Sequence, residues 1–411
     1  MIETGTLPTS NELDGSARGA LWRRAVLSGL AGLRGGALEI EERGIVQTLG
    51  APGGLAARIA VRAPRFWRRV ALGGAVGAGE SYADGDWDTD DLTAVVRLLA
   101  RNHGARQRLE GGLALVRRPL AAAFALVRSN TRAGARRNIA DHYDLGNEFF
   151  ALMLDPTMTY SSGVWDGPED TLEAASVRKL DLLCRRLRLR PEDHLLEIGT
   201  GWGSLAIHAA SRYGCRVTTT TLSRAQWELA RERVAAAGLE GRVTLLREDY
   251  RDLRGTYDKV VSCEMIEAIG AAQYPTFFAR CAARLAPGGR LVLQAITIAD
   301  EHYERARREV DFIKRHVFPG SCIPSIGALV GAAAEAGGFR LRALQDHRLD
   351  YARTLAAWRA NLAANRHAVE RLTDERFRRL WHFYLCYCEG GFREGHIGVA
   401  QATFERSEGT P

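Results

Sequence analysis

The chain has very little lysine, no long apolar run and no paired cysteine motif. Three lysines stand among 411 residues, so nearly all of the 56 basic residues are arginines. The longest apolar stretch, residues 120–127, is far shorter than the roughly 20 residues of a membrane-spanning helix. The seven cysteines include no CxxC spacing, which argues against a zinc site and a disulfide framework. Because residues 1–15 are polar and acidic, we expect no signal peptide and a cytoplasmic protein with reduced thiols.

The composition is that of a folded protein with an uneven charge. Hydrophobic residues make up 46% and charged residues 26%, and the length suits two domains. The net charge of the chain is +7. Residues 101–137 alone contribute +8, because they hold nine arginines and one acid. Such a block forms either a solvated face or a surface for an anionic partner, of which a membrane is one. Aromatic residues are not interleaved with these arginines, so we expect no nucleic-acid binding.

The first part of the chain mixes strand and helix patterns. Residues 1–15 are expected to form a loose polar tail, and residues 38–49 and 64–77 are predicted to contain strands. A helix is predicted over 89–102, with its N-cap at residue 88, 89 or 90. The arginine-rich stretch then leads to a boundary near residue 130. We therefore predict a small α+β domain over 1–130 and a larger domain over 131–411.

The second part alternates short apolar strands with helices. Strands are predicted at 194–199, 216–222, 243–249, 258–263 and 290–297. Helices are predicted at 203–213, 223–238 and 271–286. This alternation is typical of an α/β fold with a doubly wound, mostly parallel sheet, in which ligands bind beyond the carboxyl ends of the strands.

A glycine-rich loop follows the first of these strands. Gly199, Gly201 and Gly203 form a GxGxG turn that includes Trp202, and Glu197 precedes it on the strand. Glycines allow a tight turn and close approach of a ligand, while the acid could accept a hydrogen bond from an ammonium group. The third strand ends at Asp249 and Tyr250, which suit an adenine amine and ring. S-adenosylmethionine carries both groups, so we predict that it binds here.

The second strand ends without the acid that often binds ribose hydroxyls. Thr221, Leu222 and Ser223 stand at that end, and Gln226 follows. We predict that Ser223 and Gln226 replace the missing carboxylate.

Several separated motifs resemble those of the cyclopropane-fatty-acid synthases and their mycolic-acid relatives. The motifs lie at 142–150, 154–161, 199–203, 221–226, 249–252, 262–270, 313–324 and 384–392. They match in order and spacing over about 140–405, and the first 130 residues resemble the extra domain of longer bacterial members more weakly. The resemblance implies methyl transfer from S-adenosylmethionine to a cis double bond of a phospholipid acyl chain, followed by proton loss and ring closure. It also places Tyr160 and Ser161 at the cofactor.

In the family that the chain resembles, a bound bicarbonate removes the proton. The resemblance maps its binding site onto Ser162, Glu267, Gln294, Ile296, Tyr351 and Cys388. It gives the catalytic roles to Glu267, Tyr351 and Cys388. The chain differs from many members of the family at two of these positions. Ser162 replaces a cysteine, and Gln294 replaces a histidine. Both side chains can still donate hydrogen bonds.

Three other functions stay open at this point. The same scaffold could form a methylene or methyl branch, could methylate a small amine at nitrogen, or could be a lipid-binding module without catalysis. The expected partners are an unsaturated phospholipid and an anionic membrane surface on the cytoplasmic side, with a homodimer left open.

Overall fold

A computed structural model describes residues 10–102, 104 and 146–407 of the chain. The arginine-rich segment beyond residue 104, the predicted boundary near 130 and residues 142–145 of the first family motif lie outside the described residues. The described chain forms two compact units. The first contains residues 10–102 together with 373–394, and the second contains residues 146–372 together with 395–407.

The described part of the chain contains helices and strands that we number in chain order. They are α1 (Ser10–Gly29), β1 (Gly36–Glu42), β2 (Ile45–Gly50), β3 (Leu55–Val61), α2 (Arg65–Ala83), β4 (Trp87–Asp88), α3 (Leu92–Arg101), α4 (Asn147–Met153), α5 (Leu172–Leu187), β5 (His194–Ile198), α6 (Ser204–Tyr213), β6 (Arg216–Thr220), α7 (Arg224–Ala236), β7 (Val243–Leu246), β8 (Tyr257–Cys263), α8 (Tyr274–Arg284), β9 (Leu285–Ile298), α9 (Asp300–Arg308), α10 (Phe312–His316), α11 (Ile326–Ala336), β10 (Phe339–Asp346), α12 (Arg348–Ala364), α13 (Arg366–Leu372), α14 (Glu375–Arg393) and β11 (Ile397–Arg406). Two short 3₁₀ turns, Ile266–Ile269 and Ala271–Gln273, lie between β8 and α8.

The first unit is a four-stranded sheet with helices, as an α+β fold requires. The strand order is β2–β1–β3–β4, and the antiparallel pair of β1 and β2 confirms that 38–49 contains strands. Helix α3 begins after Asp91, whose carboxylate accepts a hydrogen bond from the Ala94 N–H at 2.9 Å. The predicted helix over 89–102 is therefore confirmed, with its N-cap one residue later than expected.

Two predictions for the first unit were wrong. Residues 64–77 form helix α2 and not a strand, because Phe66, Trp67 and Val70 are buried together at helical spacing. The polar tail is shorter than predicted, since α1 already begins at Ser10.

Helix α14 belongs to the first unit, although the predicted division placed all of 131–411 in the second domain. Its partners are α2 and α3. The Thr93 hydroxyl donates to Glu389 at 3.3 Å, and Arg97 and Arg101 both bind Glu394 at 2.7 and 2.5 Å.

The second unit confirms the predicted doubly wound, mostly parallel sheet. Its strand order is β10–β11–β9–β8–β5–β6–β7. Strands β5 to β9 are mutually parallel, and β11 runs antiparallel to both of its neighbours. Apolar side chains cover both faces, with Phe277 and Phe404 in one cluster and Leu183 and Val217 in the other.

The order of the strands positions the functional residues. Because β5 and β8 are parallel neighbours, the segments that follow them emerge at the same edge of the sheet. The glycine-rich loop follows β5, and an acidic segment follows β8. Among the described residues, no helix combines the length and the apolarity that crossing a membrane requires.

Candidate active site

The glycine-rich loop has the backbone that its sequence predicts. Gly199, Gly201 and Gly203 adopt φ values of 103°, 53° and 86°, a region that favours glycine. The N–H groups of Gly199 and Thr200 both donate to the Thr220 carbonyl at 3.1 Å, which ties the loop to the end of β6. No described heavy atom lies within 4 Å of the position that a Cβ on Gly201 would take. The loop therefore has open space beside it.

Glu197, on the strand that leads into this loop, has a carboxyl oxygen without a hydrogen-bond partner among the described residues. The residue is 3% exposed, and its Oε2 atom has no hydrogen-bond partner among the described residues. Burial raises the pKa of Glu197 to about 8, against the opposing effects of a hydrogen bond with Thr219 and the charge of Lys179. A buried oxygen of this kind suits a cationic ligand group, so the loop and Glu197 fit S-adenosylmethionine with its ammonium.

The segment after β6 is held by its own side chains. The Ser223 hydroxyl accepts from the Gln226 N–H at 3.3 Å and caps α7, while the Thr221 hydroxyl donates to the Gln226 side chain at 2.9 Å. Leu222 lies between them and is half-buried. The predicted contact of Ser223 and Gln226 with a ribose stays a prediction.

The residues after β7 are already engaged within the protein. The Asp249 carboxylate binds Arg251 through both oxygens, at 2.8 and 2.6 Å. Tyr250 packs edge-on against Phe277 in the core, and its hydroxyl has no partner among the described residues. Sequence reasoning did not anticipate the Arg251 pair, and the adenine contact stays a prediction.

The aromatic residues near the loop pack against one another. Trp202 is buried and donates from its indole to the Asn147 side chain at 2.8 Å. Tyr160 lies between Phe150 and Trp358, with ring centroids 5.3 and 5.2 Å apart.

Lys179 is a buried charge that the sequence analysis missed. It lies on α5, is 2% exposed and donates to the Ser161 hydroxyl at 2.8 Å. Its positive charge opposes the rise that burial causes in the pKa of both Glu197 and Glu264. A buried lysine without an obvious packing role is a signal of function, but the sequence alone did not show that it is buried.

Glu264 is the second residue that the sequence analysis missed, and it lies at the centre of the predicted anion site. It directly follows β8, and its side chain is partly buried. Its Oε1 atom accepts from the Ser162 backbone N–H at 2.9 Å and from the Gln294 amide at 2.7 Å. Its Oε2 atom accepts from the Tyr351 hydroxyl at 2.6 Å. Burial raises the pKa of Glu264, and these three hydrogen bonds oppose that rise.

Gln294 is held in the orientation that this contact needs. Gln294 on β9 and Gln401 on β11 are register partners. The side-chain amide of Gln401 donates to the side-chain carbonyl of Gln294 at 2.9 Å. The Gln294 NH₂ group is thereby directed to Glu264. The Ser162 hydroxyl donates instead to the Gly163 carbonyl at 2.9 Å, so Ser162 contributes its backbone and not its side chain.

Glu267 lies beside Glu264 in the 3₁₀ turn after β8. Its Oε1 atom accepts from the Ile296 N–H, and its Oε2 atom is buried without a partner among the described residues. Burial and the negative charge of Glu264 raise the pKa of Glu267 to about 8. The two neighbouring acids therefore differ, because Glu264 has the donors that stabilise a charged carboxylate, whereas burial and the charge of Glu264 favour the neutral form of Glu267.

The residues present do not fit a bicarbonate ion at the predicted position. Ser162, Gln294 and Tyr351 were expected to bind it, but in the structure all three donate to Glu264. Ile296 donates to Glu267. Cys388, the remaining member of the predicted set, lies half-buried on α14 in the first unit, and its role stays a prediction.

Comparisons with known proteins give one consistent family. The model described as mycolic acid cyclopropane synthetase matches residues 130–402. Tuberculostearic acid methyltransferase UfaA1 of Mycobacterium tuberculosis is 41% identical over 353 residues, which cover 84% of this chain and 82% of that protein. The cyclopropane-fatty-acyl-phospholipid synthase of Escherichia coli is 36% identical over 355 residues, which cover 86% of this chain and 89% of that protein.

The solved structures agree with the sequence comparisons. Mycolic acid cyclopropane synthase CmaA1, complexed with SAH and CTAB, is similar with a TM-score of 0.62 and 31% identity, covering 66% of this chain and 98% of that one. The chain belongs to the mycolic acid cyclopropane synthetase family and is an S-adenosylmethionine-dependent methyltransferase.

Proposed function

We propose that this enzyme transfers the methyl group of S-adenosylmethionine to the cis double bond of an unsaturated phospholipid acyl chain and closes a cyclopropane ring. The observation that carries the proposal is the placement of two features at one edge of the sheet. The open glycine loop follows β5, which carries Glu197, and the Glu264–Glu267 pair follows the parallel neighbour β8. The first feature supports binding of the methyl donor, and the second supports the handling of a proton.

The residues around the loop would hold the methyl donor. When bound, S-adenosylmethionine supplies a methyl group activated by its sulfonium charge. The free Oε2 atom of Glu197 would accept a hydrogen bond from the ammonium, and the space beside Gly201 would admit the ligand. We assign the adenine to Asp249 and Tyr250 and the ribose to Ser223 and Gln226.

The aromatic residues would protect the reacting acyl chain. Methyl transfer to a double bond leaves a positive charge on the chain, which water would trap as an alcohol. Aromatic faces attract a cation and exclude water. We assign this role to the group formed by Phe150, Tyr160 and Trp358, because Tyr160 is the half-buried member between two fully buried rings.

A second candidate ends the same reaction differently. The UfaA1 relative is named as a methyltransferase and not as a cyclopropane synthase. This favours, as the alternative, methyl transfer followed by a hydride shift and the loss of a proton, which gives a methylene branch, or a methyl branch on a chain that keeps a double bond.

We also propose that the enzyme works on the cytoplasmic face of a membrane. An acyl substrate lies inside a bilayer, so an enzyme that does not insert must dock on the surface and draw a chain out. The arginine-rich segment 101–137 is the best candidate for contact with anionic headgroups, and Arg101, the arginine of this segment that the structure describes, pairs with Glu394.

Lipid analysis after expression tests the proposed function. We expect the phospholipids of a host with monounsaturated chains to gain one CH₂ unit, and the new acids to co-elute with ring standards. Gly201→Val is the matched inactive control, because its side chain would fill the space beside the loop. An unchanged lipid profile with well-expressed wild type would refute methyl transfer to lipid, and co-elution with branched standards would favour the second candidate.

A further inference from the structure

The proposed ring closure needs a group that accepts a proton. The new methyl group must lose a proton while the electron pair of that C–H bond forms the third side of the ring. The sulfonium charge that entered with the methyl donor therefore leaves as that proton. An anion beside the reacting carbons can perform this step if donors hold it in place and keep it charged.

We infer that the Glu264 carboxylate is this anion and that the chain carries its proton acceptor as a side chain where the resemblance predicted a bicarbonate ion. The inference rests on the proposed function. The C–H proton passes to an oxygen of Glu264, and it leaves to solvent before the next turnover. No additional reactant is needed.

The first support is the set of donors. Ser162, Gln294 and Tyr351 come from three separate parts of the second unit: the segment before α5, strand β9 and helix α12. All three converge on one carboxylate at 2.6 to 2.9 Å. A carboxylate and a bicarbonate ion both present two oxygens on one planar carbon, so the same donors can bind either. With Glu264 in place, these donors are no longer available to a free ion.

The second support is the backbone of Glu264. Its φ value is +50°, which makes it one of four described residues other than glycine with positive φ. Glycine would adopt this conformation with less strain. The backbone N–H of Glu264 donates to the backbone carbonyl of Gln294 at 2.8 Å, and this hydrogen bond holds the strained backbone in place. Local backbone preference therefore does not explain a glutamate here, whereas a role for its carboxylate does.

The third support is the contrast with Glu267. Two adjacent acids cannot both be charged at low cost, and the donors decide which one is ionised. Glu264 accepts three hydrogen bonds and also feels the positive charge of Lys179. The Glu267 side chain accepts a hydrogen bond from the Ile296 N–H, and its Oε2 atom has no partner among the described residues. Glu264 is thus the acid that is ready to accept a proton.

Activity measurements in buffers with and without bicarbonate test this inference. The reaction uses purified full-length protein, S-adenosylmethionine and vesicles of monounsaturated phospholipid. We expect wild-type turnover to be the same in bicarbonate-depleted and bicarbonate-supplied buffer. Glu264→Gln should lower turnover by about 10²- to 10⁴-fold, the usual contribution of a general base. Its affinity for S-adenosylmethionine, measured by calorimetry, should stay near that of the wild type and show that it is folded.

A second variant uses the backbone preference of this position. Glu264→Gly relieves the positive φ and removes the carboxylate that the three donors bind, so added bicarbonate or acetate should restore part of its activity. Stimulation of the wild type by bicarbonate, or near-normal turnover of Glu264→Gln, would overturn the inference. A wild type that never modifies lipid would instead refute the proposed function, so the two failures are distinguishable.

Discussion

At the level of single residues, a bound cation would change the protonation state of Glu197. Its carboxyl group has a pKa of about 8 because burial disfavours the charge, and its Oε2 atom has no partner among the described residues. A carboxyl group with this pKa is mostly protonated at pH 7. An ammonium at Oε2 would favour the carboxylate and lower the pKa, so binding would release a proton from Glu197.

Calorimetry in buffers of different ionisation enthalpy measures that proton. At pH 7, we expect S-adenosylmethionine to release up to about one more proton from the wild type than from Glu197→Gln. The affinity of Glu197→Gln should also be lower. Glu240→Gln, a change at an exposed glutamate, is the matched control and should behave as the wild type. Equal proton release by the wild type and Glu197→Gln would show that Glu197 does not meet the ammonium.

Sequence reasoning found some of these residues and missed others for a physical reason. Glu197 was predicted because an acid next to a glycine turn on a strand is a local pattern. Glu264 and Lys179 were missed because their partners are distant in sequence, with Tyr351 87 residues from Glu264. Only the fold brings such residues together.

At the scale of secondary-structure elements, glycines shape α2. Gly74 has φ 52° and ψ −132°, so the helix is interrupted there. The second half folds back so closely that a Cβ on Gly77 would lie 2.0 Å from the Arg69 carbonyl oxygen. The interruption therefore depends on two glycines, one for its dihedral angles and one for a close contact.

Substitution at Gly77 tests this account of α2. We expect Gly77→Ala to lower the free energy of unfolding by about 1–3 kcal/mol, the usual effect of overpacking against rigid atoms. Gly19→Ala in α1 is the control, because no described atom lies near its Cβ position. It should raise stability by up to about 1 kcal/mol through helix propensity. Denaturant unfolding measures both, and a neutral Gly77→Ala would contradict the close contact.

The elements that sequence patterns predicted well are those of the second unit. Strands β5, β8 and β9 place buried apolar residues in the core clusters on both faces of the sheet, which gives a strong local signal. The same reasoning failed at 64–77, where glycines within an apolar run look like breaks between strands. The segment forms a helix because Phe66, Trp67 and Val70 are buried on one of its faces. Burial is a property of the tertiary structure, so the sequence pattern did not show it.

At the scale of the whole molecule, positive charge is concentrated in residues 101–137. One alternative to membrane docking is that these arginines neutralise the acids of the first unit. Other described arginines already pair with two of those acids, since Asp84 pairs with Arg69 and Arg376 and Asp86 pairs with Arg65 and Arg69. Arg101 does pair with an acid of this unit, Glu394, so the docking proposal concerns the arginines beyond it.

Reversing the charge of four arginines in this segment tests whether the segment docks on an anionic membrane. Changing Arg117, Arg118, Arg136 and Arg137 to glutamate should strongly reduce co-sedimentation with anionic vesicles. Each basic residue near such a surface contributes about 1 kcal/mol, and the effect fades within roughly 8 Å at physiological salt. Salt should weaken wild-type binding, and neutral vesicles are the control. A variant with an unchanged thermal melt that sediments as well as the wild type would refute docking through this segment.

The most direct test of the proposed activity follows the atoms of the methyl group. Purified wild type is incubated with S-adenosylmethionine that carries a CD₃ methyl group and with vesicles of monounsaturated phospholipid, and the acyl chains are analysed by mass spectrometry and chromatography. We expect the chains to gain CD₂, because one deuteron leaves the methyl group, and the product to co-elute with a cyclopropane standard. Chains that gain no deuterium, although the protein binds S-adenosylmethionine, would contradict it.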